Sequence, residues 1–303
     1  MTLPEPYTTA RGVEAAIKAS AKKAASADPS LSTDKRIQME YFNRFLSRIF
    51  SEGEESAWVL KGGTGMLARI PSTRATRDID LDRQNATLDQ ALAELKRLAA
   101  IDLNDHFRFE YLNHETSMAA DVQPYTDAYR VTFNTFVGAT RKNALKIDLV
   151  VGSVTTGKVS TISPANALPV SKLISNPYRI YPIVDQLADK VCATMDEYGG
   201  RPSAREKDLV DIVVCAVTQS FEGAALRFAI ETERQRRQME FFEHFAVPSA
   251  WGRGYATLSA PVPHCKNYRT IESAVDVASA LINPALIGEV DGKVWSPRQL
   301  EWQ

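Results

Sequence analysis

Two glycines and a hydroxyl residue, followed at a fixed distance by a strand with carboxylates on one face, constrain this chain more than any other feature. The stretch is Lys61-Gly62-Gly63-Thr64 and, after thirteen intervening residues, Asp78-Ile79-Asp80-Leu81. Strand side chains alternate, so Asp78 and Asp80 point one way while Ile79 and Leu81 point the other. Two carboxylates about 6.6 Å apart along a strand can share one or two divalent ions. Gly62 and Gly63 let backbone approach a ligand closely, and Thr64 is placed to cap a helix marked out by Met66, Leu67 and Ile70. Free amides at a helix start form an anion site. An anion site facing a carboxylate pair suits metal-dependent phosphoryl or nucleotidyl transfer. Either half alone is a weak signal, because charged strand faces are commonly just solvated and Gly-Gly is commonly just a turn. Asp82 adds an overlapping Asp-x-Asp, which leaves room for a one-step shift of the pair.

The rest of the composition narrows the setting. The 303 residues allow one large domain or two smaller ones, and 44% hydrophobic with 24% charged residues is ordinary for a globular protein. A net charge of −1 gives no global attraction to nucleic acid, so RNA or DNA binding would need a local basic patch. The three cysteines, Cys192, Cys215 and Cys265, lack metal-type spacing. Cys192 and Cys215 sit in apolar helical contexts and read as core thiols. The odd cysteine count and a start without an apolar segment (Met1 to Tyr7) point to a reducing cytoplasm. No run reaches the roughly 18 apolar residues of a membrane span.

Taken in order, the chain predicts helices over 11–26 and 35–50, the second with Ile37, Tyr41, Phe42, Phe45, Leu46 and Ile49 on one face. A short strand, Trp58 to Leu60, enters the glycines. A helix over 86–99 and strands over 107–112, 129–137 and 144–151 follow the Asp strand. Asp148 lies between Ile147 and Leu149 on the last strand, a costly place for an acid unless it binds something. Pro164, Pro169, Pro177 and Pro182 mark 153–182 as an extended crossover. The remainder reads as mainly helical, giving an α+β (α/β) chain with a boundary near 165.

In that second half, Ile183, Leu187, Val191 and Met195 mark an amphipathic helix carrying Lys190, and Arg205 to Asp211 opens another, with Asp208 and Asp211 on one face. Taken alone, Lys190 reads as a surface lysine and the two acids as ordinary first-turn residues. A charged helix is expected over 222–245, ending in Phe241-Phe242, then a loop over 246–268 and a last helix over 270–282. Val294, Trp295 and Trp302 are expected to pack onto the body.

The four blocks together carry a resemblance. Gly63-Thr64, the gap and Asp78-Ile79-Asp80-Leu81 resemble the signature of the DNA polymerase β-like nucleotidyltransferase superfamily, with Thr64 where Ser is commoner. Adding Arg77, Gln186-Leu187-Ala188-Asp189-Lys190 and Arg205-Glu206-Lys207-Asp208-Leu209-Val210-Asp211, the chain resembles the AbiEii family, nucleotidyltransferase toxins of type IV toxin–antitoxin systems that include the MenT toxins. The resemblance covers about 150 residues. It implies a catalytic domain over 1–165 with a mixed sheet flanked by helices, and a mainly helical domain over 166–303 that completes the nucleotide site. By position it implies Asp78, Asp80, Lys190 and Asp211 as catalytic residues, with Lys61, Gly63, Thr64, Arg77 and Lys190 binding nucleotide. Asp78, Asp80 and Asp148 would hold Mg²⁺, or Mn²⁺ as the alternative ion. The implied substrates are an NTP and tRNA, whose 3′ end would be extended so that translation stops. The implied partner is a cognate antitoxin, a winged-helix AbiEi-like repressor. Neither a covalent intermediate nor a catalytic histidine is expected. The basic residues available to an RNA are Lys18, Lys22, Lys23, Arg74, Arg77, Arg234, Arg236 and Arg237. A nucleotidyltransferase modifying a protein or small molecule, and an inactive relative serving as a binding module, are the competing readings.

Overall fold

The computed structural model describes residues 5–116 and 128–303; the first four residues of the expected leaderless start lie outside them. Two helices open the chain, α1 (Ala10–Ala27) and α2 (Thr33–Ile49). Each begins where a hydroxyl can accept a free amide: Thr9 from Gly12 and Ser32 from Lys35. The next elements are β1 (Trp58–Lys61), α3 (Gly62–Arg69), β2 (Ile79–Arg83) and α4 (Leu88–Ala99), the last opened by a reciprocal Thr87–Gln90 capping box. Then come β3 (Phe107–Thr116), β4 (Ala128–Val137), β5 (Thr140–Arg141), β6 (Leu145–Val151), β7 (Ser160–Ile162) and β8 (Tyr178–Ile180).

The strands form one mixed sheet in the order β3-β4-β6-β2-β1-β8-β7, with β5 paired to β4. β2 runs parallel to β6 and antiparallel to β1. This brings the Asp strand between the two strands that carry Lys61 and Asp148. The mixed sheet with flanking helices is the α+β architecture expected from the sequence. The crossover over 153–182 differs from expectation, because it contributes β7 and β8, and β8 pairs parallel with β1 through Leu60 and Ile180. Three-residue strands among four prolines leave too little alternation to read, although Tyr178 and Ile180 are both buried.

After β8 the chain is mainly helical: α5 (Ile183–Met195), α6 (Glu206–Thr218), α7 (Gly223–Arg236), α8 (Arg253–Ser259) and α9 (Ile271–Leu286). A two-strand ribbon, β9 (Trp295–Ser296) and β10 (Glu301–Trp302), closes it. The charged helix expected to reach 245 stops at Arg236. The guanidinium of Arg234 bonds the carbonyl of Met239 at 2.5 Å, and Gln238 adopts φ +57°, so the chain folds back and Phe241 and Phe242 lie off the helix. The expected loop over 246–268 contains α8, whose seven residues are too few to show a period. Trp295 packs as expected: it is fully buried, its indole N–H bonds the carbonyl of Ala216, and it meets Trp302 edge-on at 5.7 Å. All three cysteines are buried and free.

Two apolar cores result. One gathers residues from Val13 to Ile180 around the sheet, and the other gathers Leu187 to Trp295 among the helices. Helix α3 belongs to both, with Leu67 and Ala68 in the first and Met66 in the second, joined there by Ile70 just past its end. The glycine block therefore starts the helix that joins the two cores, and the cleft between them opens at its N-terminus. Among the described residues, no helix is long and apolar enough to cross a membrane.

Candidate active site

Register builds one side of the site. Lys61 stands opposite Asp80, Asp80 opposite Asp148, and Asp148 opposite Arg130, across β1, β2, β6 and β4. Directly paired residues on neighbouring strands share a face, so the sheet presents a row of cation, two carboxylates and cation. Arg130 binds Asp148 with both prongs, Nε to Oδ1 at 2.8 Å and Nη2 to Oδ2 at 3.1 Å. Lys61 is turned inward, with its ammonium 3.0 Å from the Ser153 hydroxyl, 3.7 Å from Asp189 and 4.2 Å from the centre of the Tyr181 ring.

Asp78 lies one residue ahead of β2 rather than within it. Its placement comes from hydroxyls: Thr64 and Thr76 both donate to its carbonyl, at 2.9 and 3.2 Å. Thr64 is therefore not the cap of α3. Lys61 holds the cap position, and Thr64 sits buried inside the first turn. Of the two overlapping carboxylate pairs, Asp80 faces the cleft. Asp82 is fully buried and accepts the Ser153 amide at 3.4 Å.

Gly62 has φ +58°, and a Cβ built on it would come within 2.0 Å of the Asp80 carboxylate. The close approach read from the glycine pair is thus made by the protein's own carboxylate at Gly62, while Gly63 lines the cleft. Gly62→Ala should displace Asp80 and strain the turn, abolishing function that needs Asp80 and costing about 1 kcal/mol or more of stability. Activity assays and urea melts of the variant check this, and a fully active Gly62→Ala protein would contradict the geometry.

The facing wall comes from α5 and α6. Lys190, 5% exposed, bonds Asp208 at 3.1 Å and Asp211 at 2.5 Å. Asp211 also accepts both prongs of Arg74, at 3.0 and 2.7 Å, and Asp208 accepts Arg205. The result is a continuous chain, Arg74–Asp211–Lys190–Asp208–Arg205. Taken alone, Lys190 was expected at the surface, with two ordinary helix-start acids nearby; instead these groups are buried and mutually satisfied. Burial alone would discharge Lys190, but Asp208 and Asp211 outweigh it and hold the ammonium above its ordinary pKa. Asp208 is pressed the other way: burial would raise it, and Lys190 with Arg205 keep it well below the usual carboxylate range.

Between the walls lies a cleft of about 800 Å³. Asp78, Asp80 and Asp148 line one side, Lys190 and Asp208 the other, and Tyr198, Arg201, Arg205 and Lys207 stand around them. Burial, then the neighbouring Asp148, raises Asp78 and brings Asp80 to about 6. Carboxylates gathered this closely are a fit for a divalent cation, whose charge relieves their repulsion. As the side chains stand, no group of three His, Cys, Asp or Glu among the described residues closes on a common point, and Arg130 engages Asp148 with both prongs. The donor set suits Mg²⁺ or Mn²⁺ in its oxygen chemistry, and Asp148 is the strongest charged neighbour of both Asp78 and Asp80.

A family model described as nucleotidyl transferase AbiEii toxin, type IV TA system, matches residues 44–277. The chain belongs to this family. A solved structure described as a putative nucleotidyltransferase from H. pylori is 17% identical, with 86% of this chain and 99% of that one covered, at a TM-score of 0.46. JHP933 from Helicobacter pylori is 15% identical over 86% of this chain and 96% of its own, also at 0.46. No curated protein matches.

In this AbiEii chain the four sequence blocks converge, but not every candidate residue faces the cleft. Lys61, Gly63, Asp78, Asp80, Asp148 and Lys190 line it. Thr64 and Asp211 stand behind it, holding Asp78 and Lys190, and Arg77 is exposed outside its lining. Sequence reasoning missed Arg130, whose role appears only through cross-strand register. It also took Arg74 and Arg237 as free to touch RNA. Arg74 is committed to Asp211, and Arg237, 4% exposed, is held between Glu233 and Asp196. Arg234 pairs with Glu231, and Arg236 bonds the carbonyl of Gly152. Lys18, Lys22 and Lys23 are exposed as expected of a solvated helix face.

Proposed function

We propose that this AbiEii toxin is a metal-dependent nucleotidyltransferase that adds nucleotides from an NTP to the 3′ end of tRNA and thereby blocks translation. The observation that carries the reading is the meeting of Asp78, Asp80 and Asp148 with a wall of buried and half-buried cations across one cleft. Bound there, Mg²⁺ or Mn²⁺ supplies Lewis-acid activation of the attacking RNA hydroxyl and charge for the departing pyrophosphate. Asp78, Asp80 and Asp148 would hold the ion. Lys190, fixed by Asp208 and Asp211, neutralises phosphate charge as it builds, and it needs no reorganisation because its partners already orient it. Arg205 and Lys207 offer donors to the polyphosphate. Gly63 gives the phosphates a close backbone approach at the start of α3, where the helix dipole favours anions.

The acceptor's phosphates are met by exposed Arg77, Lys18, Lys22 and Lys23 rather than by Arg237. Type IV membership brings an antitoxin, which we take to be a winged-helix AbiEi-like repressor acting with the toxin in the cytoplasm.

Incubating the purified chain with total RNA, Mg²⁺ and each labelled NTP tests the reading. Label is expected at tRNA 3′ ends, and it should vanish with EDTA or with Asp80→Ala. Label entering protein or a small molecule instead, or transfer undiminished in Asp80→Ala, would overturn it.

A further inference from the structure

An NTP asks three things of a site: cations for the polyphosphate, oxygens for its ion, and an apolar or aromatic face for the base. The cleft supplies the first two from opposite walls, with Arg205 and Lys207 on one and Asp78, Asp80 and Asp148 on the other. The third gathers in one short segment between α5 and α6. Tyr198, Pro202 and Ala204 all line the cleft, and among the described residues that do so Tyr198 carries the only aromatic ring. The segment is a small hairpin. Glu197 pairs with Pro202, and Tyr198 and Arg201 exchange backbone bonds at 2.8 and 3.3 Å. Gly199 and Gly200 form its tip at φ +62° and +72°, the left-handed pair that a tight two-residue turn requires, and a Cβ on either would meet open space. The foot of the hairpin is tied down. The Ala193 carbonyl accepts the Ser203 hydroxyl at 2.8 Å and lies 3.5 Å from the Tyr198 hydroxyl. The Trp251 indole N–H bonds the Ser203 carbonyl at 2.9 Å, and Arg237 holds Asp196 at 3.1 Å. Tyr198 itself is half-buried and lies outside both apolar cores, so packing does not account for its ring.

We propose that this hairpin is the base subsite of the cleft, with the Tyr198 ring as the surface on which the nucleobase of the NTP stacks. The inference rests on the reading of the cleft as an NTP site and deepens it. A base is planar with a π-system on each face, so it is favoured against an aromatic ring and disfavoured among buried charges. The chain runs from the hairpin directly into Arg205 and Lys207 at the start of α6, so a base on Tyr198 leaves its phosphates on the wall that carries these cations. Tyrosine orders at low entropic cost because only two torsions are fixed. Every base has a π-face, so the platform serves all four NTPs.

The test separates the base from the rest of the nucleotide. Calorimetry on the full-length chain with Mg²⁺ and no RNA compares ATP, GTP, CTP and UTP with ribose 5-triphosphate, which keeps the sugar and the charge but lacks the base. The wild-type chain should bind each NTP about ten-fold tighter or more than ribose 5-triphosphate. Tyr198→Ala should erase most of that difference for all four NTPs and leave ribose 5-triphosphate binding unchanged. Tyr198→Phe, which keeps the ring and drops the hydroxyl, should restore it. Equal binding of NTP and ribose 5-triphosphate by the wild type would overturn the inference without recourse to any variant, so a Tyr198→Ala protein that failed to fold would not shield it. Unchanged NTP binding in Tyr198→Ala, or an equal loss of NTP and ribose 5-triphosphate, would also overturn it, even if RNA is labelled. The expected pattern with no nucleotide transfer to any acceptor would leave the base subsite standing while the transfer reading fell. A wild-type chain that binds no NTP would sink both.

Discussion

Asp211→Ala should cost the protein about 3–5 kcal/mol of stability, the range for removing one partner from a buried ion pair. Asp211 is 1% exposed and is the shared anion of Lys190 and Arg74. Its loss leaves Arg74 without its two-pronged partner and Lys190 with Asp208 alone. Arg74 comes from the segment between α3 and β2, whereas Lys190 and Asp211 come from α5 and α6. Asp211 therefore ties the glycine-block side of the cleft to the helical side as well as orienting Lys190. Asp211→Asn keeps shape and one acceptor but loses the charge, so it should fall between wild type and Asp211→Ala in urea or thermal melts. An Asp211→Ala protein that melts with the wild type would refute the account. Relief of toxicity by this substitution is consequently weak evidence for a catalytic role, because a destabilised toxin is also a harmless one. Lys190→Arg is the sharper companion. It retains charge between Asp208 and Asp211 while moving the cation's donors, so lost transfer with a preserved melt would assign Lys190 to the chemistry.

The sequence revealed the elements around the site well, and it did so where periodicity was long or a cap was present. Helix α5 was legible from Ile183, Leu187, Val191 and Met195, and α4 from Leu88, Leu92, Leu95 and Leu98. The Asp strand was legible because Ile79 and Leu81 alternate with acids, and both are fully buried. Failures occurred where the deciding contact was distant in sequence. Lys190, Asp208 and Asp211 looked like surface charges because a one-dimensional reading cannot see that three buried ions satisfy one another. Arg130 sits in a strand of alternating residues, Tyr129 to Val137, where an arginine reads as solvent-facing; only pairing with β6 shows it opposite Asp148. Arg237 looked basic and available on a charged helix, yet it is enclosed by Glu233 and Asp196. The blocks that carry the resemblance meet at one cleft, and geometry separates residues that line it from those, such as Thr64 and Asp211, that hold the liners in place.

Acidification should release the bound cation while making the metal-free protein more stable. Folding raises Asp80 from 3.8 to about 6, first through burial and then through repulsion by Asp148. The native carboxyl thus binds its proton more tightly than the unfolded one. By linkage, its effect on stability is most favourable below about pH 4 and is lost as pH rises through about 6. A divalent ion needs the carboxylate, so its affinity runs the opposite way. Affinity should be flat above pH 7 and fall about ten-fold per unit below 6, reaching roughly hundred-fold by pH 4. Asp78 is raised by the same two causes, so the carboxylates titrate as a coupled set and the measured midpoint belongs to that set. Asp189, raised to about 7 chiefly by burial, adds a stability slope of the same sign. The quantity to read is therefore the difference between wild type and Asp80→Asn. Melting in EDTA from pH 7.5 to 4.5 should show the wild type gaining on the variant as pH falls. Mn²⁺ titrations over the same range should show the wild type's affinity dropping while the variant stays weak throughout. Wild-type affinity that holds level down to pH 5 would remove Asp80 as the ligand that sets the metal's pH dependence.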